Sequence, residues 1–406
     1  MDHGQRTIFT FHSASKLVFG RHAVRELGEI VAWLRCKRVF IVTDPVLVRA
    51  GLLDAVRGPL SEAGTLVGIF DGGEPEPTLA MVRRCIQSAQ RFAPDAILGL
   101  GGGSNMDAAK LAAVVLAHAG DPRDYVGEDR VPGPVMPLIC LPTTAGTGSE
   151  VSAAAVFTDT EKQLKVSVLS NHLRPAAAVV DPLLTVSCPP KVTADSGIDA
   201  LTHAIEAYCA VDNASYPLPP GERSVYQGKN PFADMVAERA MRLVGQYLRR
   251  VVKNGNDLEA RGGMALAATL AGLAFSNSGV ALVHAMEYPV GAAVHCSHGA
   301  GNGLLLPFVM RYNLPERAAA LTNVAAFLGE DVSRLDQAAA AERAISAVDR
   351  LRAEIGIPTK LRDIGVQEEQ LRPFAEKAFS IKRLMRVNPR HPASAEEIEA
   401  IYRAAW

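Results

Sequence analysis

The chain predicts two domains: an α/β domain with a largely parallel sheet over residues 1–188, then an all-helical domain over residues 189–406. Three observations predict this division. The 406 residues are enough for two or three domains at roughly 150 residues each. Short β-branched runs alternate with helical patterns in the first half, and strand–helix–strand units of that size imply parallel strands with helices on both faces. After Asp181-Pro182 the strand signals stop and Ala-rich helical periodicity takes over.

The strand candidates are Lys37–Thr43 (KRVFIVT), Leu66–Phe70 (LVGIF), Ala96–Leu100 (AILGL) and Leu138–Leu141 (LICL). Helical patterns at Thr78–Phe92 and Asn105–His118 lie between them. Val151–Thr158 and Leu164–Ser170, joined through Asp159-Thr160-Glu161, read as an antiparallel hairpin appended to the sheet. In the second half, Ser196–Tyr208 and Gly279–Met286 read as helices. Breaks are expected at Pro217-Leu218-Pro219-Pro220-Gly221 and around Pro315 and Pro358.

Composition narrows the classes of function. Lys and Arg total 42 and Asp and Glu 43, a net charge of −1, whereas binding along nucleic acid calls for a surplus of cations. Six cysteines (Cys36, Cys85, Cys140, Cys188, Cys209, Cys296) with no paired spacing read as reduced, buried thiols of a cytoplasmic protein. Met1–Lys16 has no apolar h-region, so no secretory signal is expected. The stretch from Gly262 to Met286 lacks Asp, Glu, Lys and Arg and is long enough for a membrane span. However, Ser276-Asn277-Ser278-Gly279 interrupts it and Ala and Gly dominate it, which predicts a pair of buried helices. Neither nucleic acid nor membrane is an expected partner.

Two loops carry ligand-binding chemistry. Gly99-Leu100-Gly101-Gly102-Gly103-Ser104 follows a strand and opens a helix. Ser104 reads as its N-cap, Asp107 completes a capping-box pattern, and Gly120 ends the helix. Free N–H groups and the helix dipole at such an N-terminus attract an anion. The string is not the standard Rossmann fingerprint, and the candidate ribose-binding acid, Asp44, precedes the glycines instead of following them. The second loop, Thr143-Thr144-Ala145-Gly146-Thr147-Gly148-Ser149-Glu150, follows the fourth strand. Hydroxyls and amides at the carboxyl ends of strands are where open α/β sheets bind ligands.

Four residues form a candidate metal set. Asp199 and His203 are four apart on one helix face, His284 lies on a later helix, and His298 follows 14 residues after it. Three imidazoles and a carboxylate suit a borderline divalent cation such as Fe(II) or Zn(II), and vacant positions would admit a substrate oxygen. An Asp–His hydrogen-bonded pair uses the same helical spacing. His3, His12, His22, His118, His172 and His391 have no such neighbours, and Cys296 reads as a small packed residue.

These blocks, together with Phe9–Gly20 (FTFHSASKLVFG), resemble the iron-containing (group III) alcohol dehydrogenases over nearly the whole chain. The resemblance rests on Gly101–Lys110, Leu141–Glu150, Asp199–Tyr208 and His284 through Gly299 in the same order. It implies a dehydroquinate synthase-like architecture with a metal in the cleft between two domains. It also implies NAD-dependent hydride transfer involving an alcohol or aldehyde, and a homodimer. Asp199, His203, His284 and His298 fall on the family's ligand positions, with Fe(II) as the implied metal. Gly101, Gly102, Gly103, Ser104 and Asp107 fall in the pyrophosphate motif, Thr143, Thr144, Thr147 and Lys165 in cofactor-contacting stretches. Asp44 falls near the adenosine ribose, where a carboxylate favours NAD(H) over NADP(H).

The chain departs from the family at two places. Tyr288 stands where many members have a proton-relay histidine, which leaves Tyr288, His295 or water for that role beside His284 and His298. Val211 to Pro231 is extended, and with His284-Ala285-Met286-Glu287-Tyr288-Pro289 it resembles the hydroxyacid–oxoacid transhydrogenase branch, whose members oxidise 4-hydroxybutyrate. A glycerol dehydrogenase or dehydroquinate synthase-like lyase shares the architecture. The lyase needs cations for a substrate phosphate, and Met264 to Leu306 contains no Lys or Arg.

Overall fold

Apolar runs bounded by glycines and polar turns bury both faces when they lie in a parallel sheet covered by helices. The computed structural model describes residues 6, 8–161, 164–218 and 223–406; His3 and Pro219-Pro220-Gly221 lie outside them. Its strands are β1 (Lys16–Phe19), β2 (Arg38–Val42), β3 (Leu66–Phe70), β4 (Ala96–Gly101), β5 (Gly127–Glu128), β6 (Leu138–Pro142), β7 (Ala154–Asp159), β8 (Leu164–Leu169) and β9 (Ala177–Val180). Six of them form a parallel sheet in the order β1-β9-β6-β4-β2-β3. The hairpin is not appended to it: β7 and β8 pair antiparallel, and β5 joins β8 to make a separate three-stranded sheet.

Helices α1 (Leu27–Trp33), α2 (Pro45–Arg49), α3 (Leu52–Glu62), α4 (Leu79–Phe92) and α5 (Gly103–His118) accompany these strands. Alternate residues of each strand feed two cores. Phe40, Val42, Ile97 and Cys140 pack with Val82 and Ile86 of α4 and with Leu111 and Val114 of α5. Val39, Ile41, Leu98, Leu100, Ile139 and Leu141 pack with Leu27 and Ile30 of α1 and with Val56 and Leu60 of α3. The sheet order reverses direction between β2 and β4, so the turns that follow these two strands are neighbours at the switch point where such sheets bind ligands.

The described residues form two compact units. His12–Cys188 and Arg223–Val225 make one, and the remaining described residues the other. The second is helical: α6 (Pro190–Cys209), α7 (Pro231–Lys253), α8 (Leu258–Ser278), α9 (Leu282–Val294), α10 (His298–Phe327), α11 (Gln337–Glu354), α12 (Leu371–Ser380), α13 (Lys382–Met385) and α14 (Ala395–Ala405). α6 is buried along almost its whole length after Thr193, and α10 kinks at Arg317, two residues beyond Pro315. The helix expected from Gly279 begins instead at Leu282, because Gly279, at φ +117°, ends α8. No single described helix is long and apolar enough to cross a membrane. α8 and α9 together would be, but they are bent 106° apart and largely buried within the helical unit.

Burial pushes the thiols of Cys85, Cys140 and Cys209 up to about 12, so they stay protonated near neutral pH. Iodoacetamide is therefore expected to modify Cys188 and Cys296, the two partly exposed thiols, in the folded protein. Peptide mass spectrometry should find the other four labelled only after unfolding.

Candidate functional site

The sheet's switch point is shaped to leave backbone donors open. α5 begins at Gly103 with Gly102 as its N-cap, and no side chain caps it. The expected Ser104 cap is thus corrected: Ser104 already lies inside the first turn, and its hydroxyl donates to the Pro75 carbonyl. The first-turn N–H groups of α5 are the orphan donors to which a phosphate binds. A Cβ on Gly103 would lie 2.9 Å from Thr147 Cγ2, and one on Gly102 would meet Thr144 at 3.5 Å, so any side chain would fill the cradle between the two loops. Thr143 is buried, and its N–H donates to the Gly101 carbonyl at 2.9 Å.

The other nucleotide-site candidates sit around this loop in different ways. Asp44 lies two residues beyond β2 and caps α2, Oδ1 accepting from Val46 and Leu47 N–H at 2.8 and 3.1 Å. Lys165, on β8, reaches Glu76 at 3.4 Å. Asp107 turns inward, accepting from Ser149 Oγ at 2.7 Å and Val156 N–H at 3.0 Å. Its carboxylate braces α5 against the hairpin rather than facing the open donors. Lys110, fully buried, supports the same joint by donating to Ser149 Oγ, Ser152 Oγ and the Ala154 carbonyl at 2.7–3.0 Å.

The helical unit holds the second cluster. Asp199 and His203 come from α6, His284 from the first turn of α9, and His298 is the first residue of α10. α10 can approach α6 because its inner stripe is glycine: a Cβ on Gly299 would lie 2.0 Å from the Asp195 carbonyl oxygen, and one on Gly303 2.7 Å from Ile198. Ligand atoms of Asp199, His284 and His298 all lie within 4.8 Å of one another. His203 stands beside this group but not in it. Its ring stacks on Phe275 at 4.2 Å and on His284 at 4.8 Å, and its buried Nδ1 has no hydrogen-bond partner. Burial lowers the His203 imidazole to about 4, the Asp199 charge only partly opposing this, so the ring is neutral at physiological pH.

Three polar residues that sequence reasoning missed complete the cluster. Glu206 accepts from His284 Nδ1 at 2.6 Å and from the N–H groups of Ala281 and Val283 at 2.9 and 2.7 Å. Glu287 takes His298 Nδ1. Both carboxylates fix the proton on Nδ1 and leave each Nε2 lone pair facing inward. There the Asn302 amide nitrogen meets Asp199 Oδ1 at 2.8 Å, His298 Nε2 at 3.1 Å and His284 Nε2 at 3.2 Å. Three acceptors converging on one nitrogen mark a point of negative potential suited to a cation. Helical spacing was the available signal: Glu206 follows His203 by three residues, Glu287 follows His284 by three, and Asn302 follows His298 by four. Tyr288 is half-buried with its ring 6.1 Å from that of His298, whereas His295 is exposed at the end of α9.

A parallel glycine-loop sheet in one unit, and a helical unit holding a buried imidazole–carboxylate cluster, make a dehydroquinate synthase-like fold. Residues 14–182 match the family described as "Iron-containing alcohol dehydrogenase", and residues 222–406 match "Fe-containing alcohol dehydrogenase family, C-terminal". The chain is 39% identical to the NAD-dependent methanol dehydrogenase of Bacillus methanolicus, covering 89% of this chain and 91% of that protein. It is also 39% identical to the long-chain-alcohol dehydrogenase 1 of Geobacillus thermodenitrificans, covering 97% of each. Among solved structures, a 1,3-propanediol oxidoreductase superposes with a TM-score of 0.92 at 38% identity, covering 98% of this chain and all of that one. The chain belongs to the iron-containing alcohol dehydrogenase family and is an alcohol oxidoreductase.

The carboxylates behind the imidazoles give a direct prediction. Glu206→Gln and Glu287→Gln should each lower divalent-cation affinity about ten- to hundred-fold, read as faster loss of metal to a competing chelator by a folded protein.

Proposed function

We propose that this enzyme is an NAD(H)-dependent alcohol dehydrogenase that requires one divalent cation, Fe(II) being the assignment that agrees with the family. The observation that carries the reading is electrostatic. Asp199, Glu206 and Glu287 are buried, all three face imidazoles, and Met264 to Leu306 supplies no Lys or Arg. Buried carboxylates are costly without a compensating positive charge. Asp199, His284 and His298 would hold the cation, with His203 and its unpartnered nitrogen as the fourth donor. The chemistry such a set would draw on, when loaded, is polarisation of an alcohol or carbonyl oxygen by the cation and hydride exchange with a nicotinamide.

The chain's own residues supply the rest. Glu206 and Glu287 keep His284 and His298 in one tautomer, so no reorganisation is needed when a ligand arrives. Gly101, Gly102, Gly103 and the open turn of α5 receive the coenzyme pyrophosphate, Thr144 and Thr147 border it, and Asp44 faces the adenosine ribose. Tyr288, beside His298, carries the proton between the substrate oxygen and solvent through its hydroxyl. The substrate is a small alcohol or aldehyde, and the enzyme pairs as a homodimer, supported by β1 at the sheet edge with Leu17 and Phe19 exposed.

Anaerobic purification and elemental analysis should find one divalent cation per chain, with NAD reduction on simple primary alcohols or diols. His284→Ala should retain the fold by circular dichroism while losing the cation and all turnover. Full activity in chelator-stripped wild-type protein would exclude the metal assignment. Tyr288→Phe should lower kcat about 100-fold with metal content unchanged; a kcat within two-fold of wild type would remove Tyr288 from proton transfer.

A further inference from the structure

Asn105 is the third residue of α5, yet its buried side chain turns away from that helix. Its Nδ2 donates to Asp44 Oδ2 at 2.7 Å and to the Leu100 carbonyl at 3.1 Å. Since Asp44 Oδ1 already caps α2, both oxygens of this carboxylate have fixed partners. The backbone is shaped around the amide. A Cβ on Gly73 would lie 2.3 Å from Asn105 Oδ1, and one on Gly101, at φ +147°, would lie 2.2 Å from Nδ2. Glycines from two separate turns therefore clear space for one side chain, which joins the end of β2 to the end of β4 at the switch point of the sheet.

We propose that Asn105 is a specificity-determining residue that sets the preference for a coenzyme with a free 2′-hydroxyl over one with a 2′-phosphate, by locking the Asp44 carboxylate in one orientation. This rests on the reading of Asp44 as the acid facing the adenosine ribose. A carboxylate held by a charge-assisted hydrogen bond presents its remaining lone pairs without first losing rotational freedom. Released from Asn105, Asp44 keeps only the cap of α2; it becomes a poorer acceptor for ribose hydroxyls and a less sharply placed repulsive charge.

The test measures NADH and NADPH dissociation constants on metal-free protein by nicotinamide fluorescence, and coenzyme KM and kcat on the metal-loaded enzyme. Asn105→Ala should weaken NADH about ten-fold while NADPH changes by less than about two-fold. The loss should appear in the coenzyme KM and not in kcat. In an Asp44→Gly background, Asn105→Ala should leave the NADH/NADPH ratio unchanged, because the group it positions is gone.

Equal weakening of both coenzymes, or an effect that persists without Asp44, would make Asn105 a brace for the loop and overturn the proposal. Asp44→Gly alone reports on the underlying reading. If that variant leaves the ratio unmoved, the ribose assignment fails and the proposal with it. A ratio moved by Asp44→Gly but not by Asn105→Ala removes only Asn105. Asn105→Leu, which keeps the branched shape and heavy-atom count but loses the amide donor, carries the same measurements should the alanine variant not fold. If both variants unfold, Asn105 is structural and the proposal falls.

Discussion

Three carboxylates buried among helices, each facing an imidazole and none paired with a Lys or Arg in the salt bridges of the described residues, are the constraint around which the helical unit is arranged. Their charge cannot be spread into water, so two of them hold the protons of the imidazoles beside them. Glu206 and Glu287 each hold an imidazole Nδ1, which commits both Nε2 atoms and Asp199 to the same small volume. That convergence needs close helix packing. Gly299 and Gly303 supply it against α6, and Gly301 makes room for the Glu287 side chain, whose Cγ would lie 2.8 Å from a Cβ there. Core packing and site electrostatics are one requirement here.

The α/β unit solves the opposite problem with the opposite means. It collects unpaired backbone donors at the uncapped start of α5, where the helical unit collects acceptors. Side chains are kept out of the cradle by Gly102 and Gly103, and Asp107 and Lys110 are turned inward to brace it. Donors and acceptors are thus each gathered by local arrangement, consistent with a chain whose overall charge is only −1.

Most of this was legible in the sequence where the signal was periodic. The alternation through Phe40 and Val42, and the four-residue spacing of Asp199 and His203, follow directly from strand and helix geometry. Lys16–Phe19 and Ala177–Val180 escaped because four residues are too few to show a period. The hairpin pattern was clear, but its sheet was decided by Gly127–Glu128, a two-residue strand far away in sequence. Ser104 and Asp107 matched a capping box locally, while helix geometry carried the start back to Gly103. Glu206 and Glu287 sit at telling spacings, yet glutamates on helices ordinarily face solvent, so only burial reveals them. His203 shows the converse, since stacking on Phe275 sets its ring orientation and no spacing encodes that.

Glu206 also does for α9 what a local cap does for most helices. α9 has no side-chain cap of its own, and the N–H groups of Ala281 and Val283 are answered from 75 and 77 residues earlier in the chain. The first turn of that helix, which delivers His284, is therefore completed by a non-local contact that forms only after α6 and α9 have docked. In a growing chain, Asp199 and His203 emerge long before their companions and offer a cation too few donors to hold it. Capture of a cation by this cluster would thus follow folding instead of guiding it. A pocket completed only in the folded protein would take its ion from those available there, so the supply of cations in the cell, as much as the donor set, would decide which metal it held.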